Sequence, residues 1–248
     1  MKELNAKIFK INKKLLIIAV VCLIIAAIAT FLIFYIINAN NERIKSEERA
    51  RLVKEYFDEK ISSYEIENAT STADVVFLGD SLTDGCDLKK YYPEFTTFNR
   101  GIGGDTSYGL LDRLKISAYD ARPKVIVLLI GGNDVLGGKS LESIYLNYDK
   151  IIQGIKENLP ETKIVWCSLT AMGNQWAKHN DSAVICNQKI KLLANKYGCR
   201  YVDLFTPLCD VETGEIFPEY TAEGVHFTDQ GYKVVSAEIK KALNEIFN

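Results

Sequence analysis

The chain has 248 residues, 48% of them apolar and 25% charged, with a formal net charge of −2. That is ordinary globular composition with room for one good-sized core. Residues 1–37 hold five lysines and a single acid, Glu3, which leaves 25 basic and 31 acidic side chains for the rest. A mildly acidic body without a basic stripe excludes nucleic acid as the partner.

The first element is "LLIIAVVCLIIAAIATFLIFYII", Leu15 to Ile37, which carries no charge. At ~1.5 Å per residue it spans about 34 Å, enough for a hydrocarbon core of roughly 30 Å. It is longer than the ~7–15 apolar residues of a secretory signal, so an uncleaved anchor is expected. Ala27-Ile28-Ala29 has the form of a cleavage site but lies in mid-run, and Cys22 follows Val21 rather than a small residue. Lys2, Lys7, Lys10, Lys13 and Lys14 dominate the N-terminal flank, whereas the far flank mixes signs. The positive-inside rule then predicts a single-pass protein of the cell membrane, with residues 1–14 cytoplasmic, 15–37 spanning and the body extracytoplasmic.

Residues 38–69 are charged and rich in helix formers, with a loose apolar stripe at Ile44, Leu52, Val53, Tyr56, Phe57, Ile61 and Tyr64. They predict a juxtamembrane helix, a stalk or a segment packed on the body; the heptads are too irregular for a coiled coil. From about residue 73 strands and helices alternate. Strands are predicted at Val75–Leu78, Thr96–Phe98, Val125–Ile130, Lys163–Leu169 and Arg200–Val202. Helices are predicted at Ser107–Ala118, Leu141–Asn158, Ser182–Tyr197 and Asp229–Phe247. "VIVLLI" and "IVWCSL" are apolar without alternation, as parallel strands covered on both faces require. Residues 70–248 therefore read as one three-layer α/β domain with a parallel sheet. Five cysteines lie outside the apolar run (Cys86, Cys167, Cys186, Cys199, Cys209), without metal-ligand spacing and with no C-x-x-C.

In such sheets the chemistry gathers where strands end. The loops there are Gly79-Asp80-Ser81-Leu82, "NRGIGGDTS" (Asn99–Ser107), "GGNDVLGGKS" (Gly131–Ser140) and, before the last helix, "TAEGVHFTDQGY" (Thr221–Tyr232). If Ser81 is a nucleophile it needs a base, and an acid to fix the base's tautomer. The chain has only two histidines. His226 stands at the right edge of the sheet, while His179 in "WAKHND" reads as a loop or helix-start residue. Glu223, three residues before His226, is the candidate acid. Asp229 competes, but "FTDQG" reads as a helix start capped by Thr228 or Asp229. Oxyanion donors are available from the Gly103-Gly104 backbone, the Asn133 side chain and the Ser81 N–H. Each block alone has a bland reading as a turn or cap; their placement after successive strands is what favours a site.

The set of Gly-Asp-Ser-Leu at 79–82, "GIGGDT", "GGND" at 131–134 and a terminal Gly-Val-His at 224–226 resembles the SGNH/GDSL hydrolase family, in order, over residues ~73–245. The resemblance implies a flavodoxin-like α/β/α sandwich with a five-stranded parallel sheet, no metal or other cofactor, and ester hydrolysis through an acyl-enzyme. It implies Ser81 as nucleophile, His226 as base, and Ser81, Gly104 and Asn133 as the oxyanion hole, with Asp80 in structural support beside the nucleophile. The family has Asp three residues before the histidine, whereas this chain has Glu223; charge and acceptor are kept, with one more methylene.

Two other readings fit parts of the same loops. Gly138-Lys139-Ser140 ends like a phosphate loop, but Asn133 stands where a Walker A glycine belongs; "GIGGDT" fails G-x-G-x-x-G at Thr106. An inactive SGNH-fold carbohydrate-binding domain would keep the scaffold without turnover. As substrate, an O-acetylated carbohydrate or a lysophospholipid suits an anchored extracytoplasmic esterase, and Trp176 and His179, in the loop Thr170–Asp181, are expected to line its pocket.

Overall fold

The computed structural model describes residues 2–248, with the side chains of 13–25 and 28–248. Of the residues used for the topology expectation, Met1 and the side chains of Lys2, Glu3, Lys7, Lys10 and Ala27 lie outside the described set. The chain forms two compact units, one ending at Asp58 and one from Glu59 to Asn248.

The first unit is helical. Helix α1 runs Lys2–Thr70 without a break. The described apolar side chains between Leu15 and Ile37 are exposed. By length and composition this is the one helix, among the described residues, apolar enough to cross a membrane or to act as a signal sequence. Further along, Arg43–Glu47, Arg51–Glu55, Lys45–Glu42 and Lys54–Asp58 pair one turn apart. Exposed pairs at this spacing add little to a helix's stability.

The second unit is an α/β/α sandwich. After the last turns of α1 come β1 (Val75–Gly79), α2 (Ser81–Asp84), α3 (Leu88–Tyr91), β2 (Thr97–Gly101), α4 (Ser107–Asp112) and β3 (Val125–Leu129). Then follow α5 (Gly132–Leu136), α6 (Leu141–Asn158), β4 (Lys163–Cys167), α7 (Asn180–Tyr197), β5 (Arg200–Val202), α8 (Phe205–Leu208) and α9 (Asp229–Phe247). The five strands are all parallel in the order β2-β1-β3-β4-β5. Val75 is level with both Thr97 and Val125, so β1 lies between the strand that follows it and the strand after that. The chain reverses direction across the sheet there, and the crevice beyond the strand ends at such a point is where sites form.

Strand residues alternate between two cores. Val76, Leu78, Ile126, Leu128, Ile164 and Trp166 pack with α4, α6 and α7. Val75, Phe77, Val125, Val127, Val165 and Cys167 pack with α3, α8 and α9. Both faces are covered, which explains the unbroken apolar runs. The described cysteines are all free thiols.

The helices at 141–158 and 229–247 stand as predicted, and α7 begins two residues early, at Asn180. The helix predicted at Ser107–Ala118 is broken. α4 stops at Asp112 and a π-helical turn occupies Lys115–Tyr119. The break falls at Arg113, whose guanidinium is drawn into the core by Asp105, Gly79 O and Arg100 O. Strand β2 runs on to Gly101, and β4 stops at Cys167 instead of Leu169. The loops after β1 and β3, expected as turns, each close into a short helix, α2 and α5.

Candidate active site

Ser81 is the first residue of α2, two residues beyond the end of β1. The turn is tight because Gly79 has no side chain: a Cβ there would meet the Leu129 carbonyl and Thr83. Asp80 caps α2, its Oδ1 accepting the Leu82 N–H at 3.0 Å. Asp80 is only 4% exposed. Burial pushes its carboxyl from 3.8 up to about 7, with the Leu82 N–H pulling the other way and the Asp105 charge adding to the rise.

The His226 Nε2 lies 2.9 Å from Ser81 Oγ. On the other side of the ring, Nδ1 contacts Glu223 Oε1. The same carboxylate oxygen accepts the His226 backbone N–H at 3.1 Å. With its Nδ1 proton held by Glu223, the imidazole presents Nε2 as an acceptor to the serine hydroxyl. The loop that sets this spacing is closed by an antiparallel bridge between Thr221 and Phe227 and by Ala222 N–H donating to His226 O. Gly224, at φ +102°, lies so close to Gly173 that a Cβ would strike the Gly173 carbonyl. The Gly173 N–H donates to Gly224 O at 2.8 Å, so the loop after β4 props the histidine loop.

Asp229 does not reach the histidine. It sits in the first turn of α9, capped by Thr228, and binds Lys90, Tyr91 and Lys233. These partners hold its carboxyl well below the ordinary range, the Lys233 and Lys90 hydrogen bonds first.

Gly104, exposed and at φ +77°, opens the loop after β2. Only a glycine adopts that backbone without strain. Asn133, in α5, donates its amide to Asp105 O at 2.8 Å, which draws α5 against the Gly104 loop. Below the loop lies a polar cluster the sequence did not reveal. Arg113, 4% exposed, donates to Asp105, to Gly79 O at 3.0 Å, to Arg100 O at 2.9 Å and to Ser117 Oγ at 2.9 Å. It thus ties the end of β1 to β2 and to the Gly104 loop. Burial pushes the Asp105 carboxyl up, and Arg113 works against that rise. Asp134, next to Asn133, accepts from Ser107 N–H and Oγ, both at 2.7 Å. A lone Arg beside the apolar stripe Leu110, Leu114 and Ala118 was the only sequence signal for this network.

Beside Ser81 and Asn133 is a small cavity of about 20 Å³, walled by Leu82, Leu129, Leu136, Leu169, Met172 and Val225. Trp176 and His179 are on a 3₁₀ turn, Asn174–His179. Trp176 packs on the core, and neither residue lines this cavity. A far larger groove, about 1020 Å³, opens near Lys115, Arg122, Lys163 and Phe247. It lies at the N-terminal ends of β3 and β4, opposite the loops just described, so size does not mark the site here. Ser140, in the stretch resembling a phosphate loop, caps α6 by accepting the Ser143 N–H.

A parallel sheet in this order, with Ser81, His226 and Glu223 gathered at its crevice, is the arrangement of the SGNH-type hydrolases. Solved structures share it. A Streptococcus pneumonia protein described as a candidate platelet activating factor is 25% identical, covering 81% of this chain and 98% of its own, with a TM-score of 0.76. A GDSL-like lipase of Bacteroides thetaiotaomicron is also 25% identical, covering 75% and 97%, with a TM-score of 0.67. An acetylxylan esterase of Geobacillus stearothermophilus, 20% identical over 69% and 93%, shares the fold with a TM-score of 0.58. No curated protein sequence matches the chain. Residues 77–234 match the GDSL-like Lipase/Acylhydrolase family, and the chain belongs to it.

Proposed function

We propose that this hydrolase is a serine esterase that removes short acyl groups, acetyl above all, from an ester outside the cytoplasm. The observation that carries the reading is the 2.9 Å contact between Ser81 Oγ and His226 Nε2, with Glu223 on the far nitrogen. His226 takes the Ser81 proton as Oγ attacks the ester carbonyl. The oxyanion is received by the N–H groups of Ser81 and Gly104 and by the Asn133 amide. An amide nitrogen carries two hydrogens, so the bond to Asp105 leaves one for this purpose. His226 then protonates the departing alcohol, and water repeats the steps on the acyl-enzyme. Asp80 and Arg113 hold the two loops in register.

The cavity beside Ser81 supports a short acyl group. A space of about 20 Å³ is near the ~10–15 Å³ that one water-sized probe needs, so it suits a methyl group better than an alkyl chain. Of the two substrate types, an O-acetylated carbohydrate suits it better than a lysophospholipid. Residues 70–248 act as the hydrolase domain, 38–69 as its helical connection, 15–37 as a membrane anchor and 1–14 as a cytoplasmic terminus.

The test is a fluorophosphonate probe followed by p-nitrophenyl esters from acetate to palmitate. Wild type should be labelled and Ser81→Ala should not. The kcat/KM should peak at acetate and fall steeply beyond butyrate. Labelling that survives Ser81→Ala would sink the site assignment, and a peak at octanoate or longer would sink the acyl assignment.

A further inference from the structure

The family match begins at residue 77, and the last turns of α1 precede it. Yet these turns belong to the same compact unit as the sheet. One face of the helix, at the spacing 60, 64, 67 and 68, meets the parts that carry the site. Lys60 Nζ pairs with Asp84, the last residue of α2. One turn on, the buried Tyr64 donates its hydroxyl to Gly101 O at 2.7 Å. Gly101 ends β2, and its Cα rests directly on α2: a Cβ there would meet the Asp84 and Thr83 backbone. Three residues later the chain reaches Gly104. So Lys60 holds the helix that begins with Ser81, and Tyr64 holds the strand end that leads to Gly104.

The next turn locks that grip. Arg100 is wholly buried, with its guanidinium 4.4 Å from the Tyr64 ring centre and 4.3 Å from that of Phe98. It pairs with Glu67 and donates to Asn68 Oδ1 at 2.9 Å. Asn68 in turn donates to Ile116 O at 2.8 Å, in the π-helical turn. A guanidinium held between two rings and the side chains of Glu67 and Asn68 fixes the rotation of residues 59–70 about their helix axis, and with it the positions of Lys60 and Tyr64.

We propose that residues 59–70 are a working part of the hydrolase, in which Lys60 and Tyr64 are positioning residues that set the nucleophile helix against the oxyanion loop. The proposal rests on the site reading above. Reacting groups displaced by about 1 Å can lose up to ~10² in rate, so a clamp on both loops acts on turnover and not only on stability.

The full chain, in detergent, is the protein to test. The burst of p-nitrophenol from p-nitrophenyl acetate counts working sites, so kcat is read per titrated site. Tyr64→Phe keeps the ring on Arg100 and removes the hydroxyl; it should lower kcat per site about fivefold with KM unchanged. Lys60→Met should lower it similarly, and Lys60→Arg, which can still pair with Asp84, should restore it. A purely structural role would instead lower the melting temperature and the titrated fraction, leaving kcat per site at the wild-type value in both variants, and that result overturns the proposal. Should Tyr64→Phe fail to fold, the Lys60→Met and Lys60→Arg pair decides alone. Wild type that gives neither burst nor fluorophosphonate label overturns the site reading, and this proposal with it.

Discussion

Glu223 reaches His226 across only three residues and serves it twice, at Nδ1 and at the backbone N–H. The extra methylene relative to Asp is taken up by a loop that Gly224 folds at φ +102°. Because the Thr221–Phe227 bridge and the Ala222 N–H bond to His226 O hold the loop without the carboxylate, loss of Glu223 should hurt less than loss of the base. His226→Ala should lower kcat about 10⁶-fold and Glu223→Ala about 10⁴-fold, measured on p-nitrophenyl acetate. Equal losses in the two variants would contradict this ranking. The pairing of Ser81 with His226 was readable because the chain has two histidines and only one follows the sheet to its upper edge. Arg113 was not readable. A buried arginine is specified by three carbonyl and carboxylate partners from three segments, and no local pattern records such a meeting.

Among the elements, α2 shows how a site can work against its fold. Its capping carboxylate, Asp80, titrates near 7 when folded against 3.8 ordinarily. The folded chain therefore binds that proton more tightly than the unfolded chain. The stability this group contributes is complete below about pH 4 and is lost as pH rises through 7. Asp80→Asn keeps an acceptor for the Leu82 N–H and has no charge to bury. In urea titrations, the variant should gain on wild type from pH 4 to 8, with the difference approaching about 4 kcal/mol. Parallel pH curves for the two proteins would count against a buried, titrating Asp80. The long elements were legible from periodicity, since α6, α9 and β5 keep their expected bounds. The short ones were not: α2 and α5 span four and five residues, too few for a period to register, and are set by capping and glycine geometry.

For the whole molecule, the parallel sheet with a core on each face was legible in the unbroken apolar strands, whereas the strand order was not, because parallel crossovers permit more than one. The sidedness proposed for the hydrolase rests on the charges flanking the apolar run. Protease added to intact cells should digest the hydrolase and spare an N-terminal tag, and alkaline carbonate should leave the full chain in the membrane pellet. Release into the supernatant would show that the apolar run is removed and does not anchor. The His226 side chain is 53% exposed and that of Glu223 45%. A base this open to solvent needs no channel to deliver the second nucleophile, because bulk water already stands beside it. In the proposed reaction an alcohol competes for the acyl group only if the protein binds that alcohol, so the partition between hydrolysis and acyl transfer is set at the rim of the crevice and not in its depth.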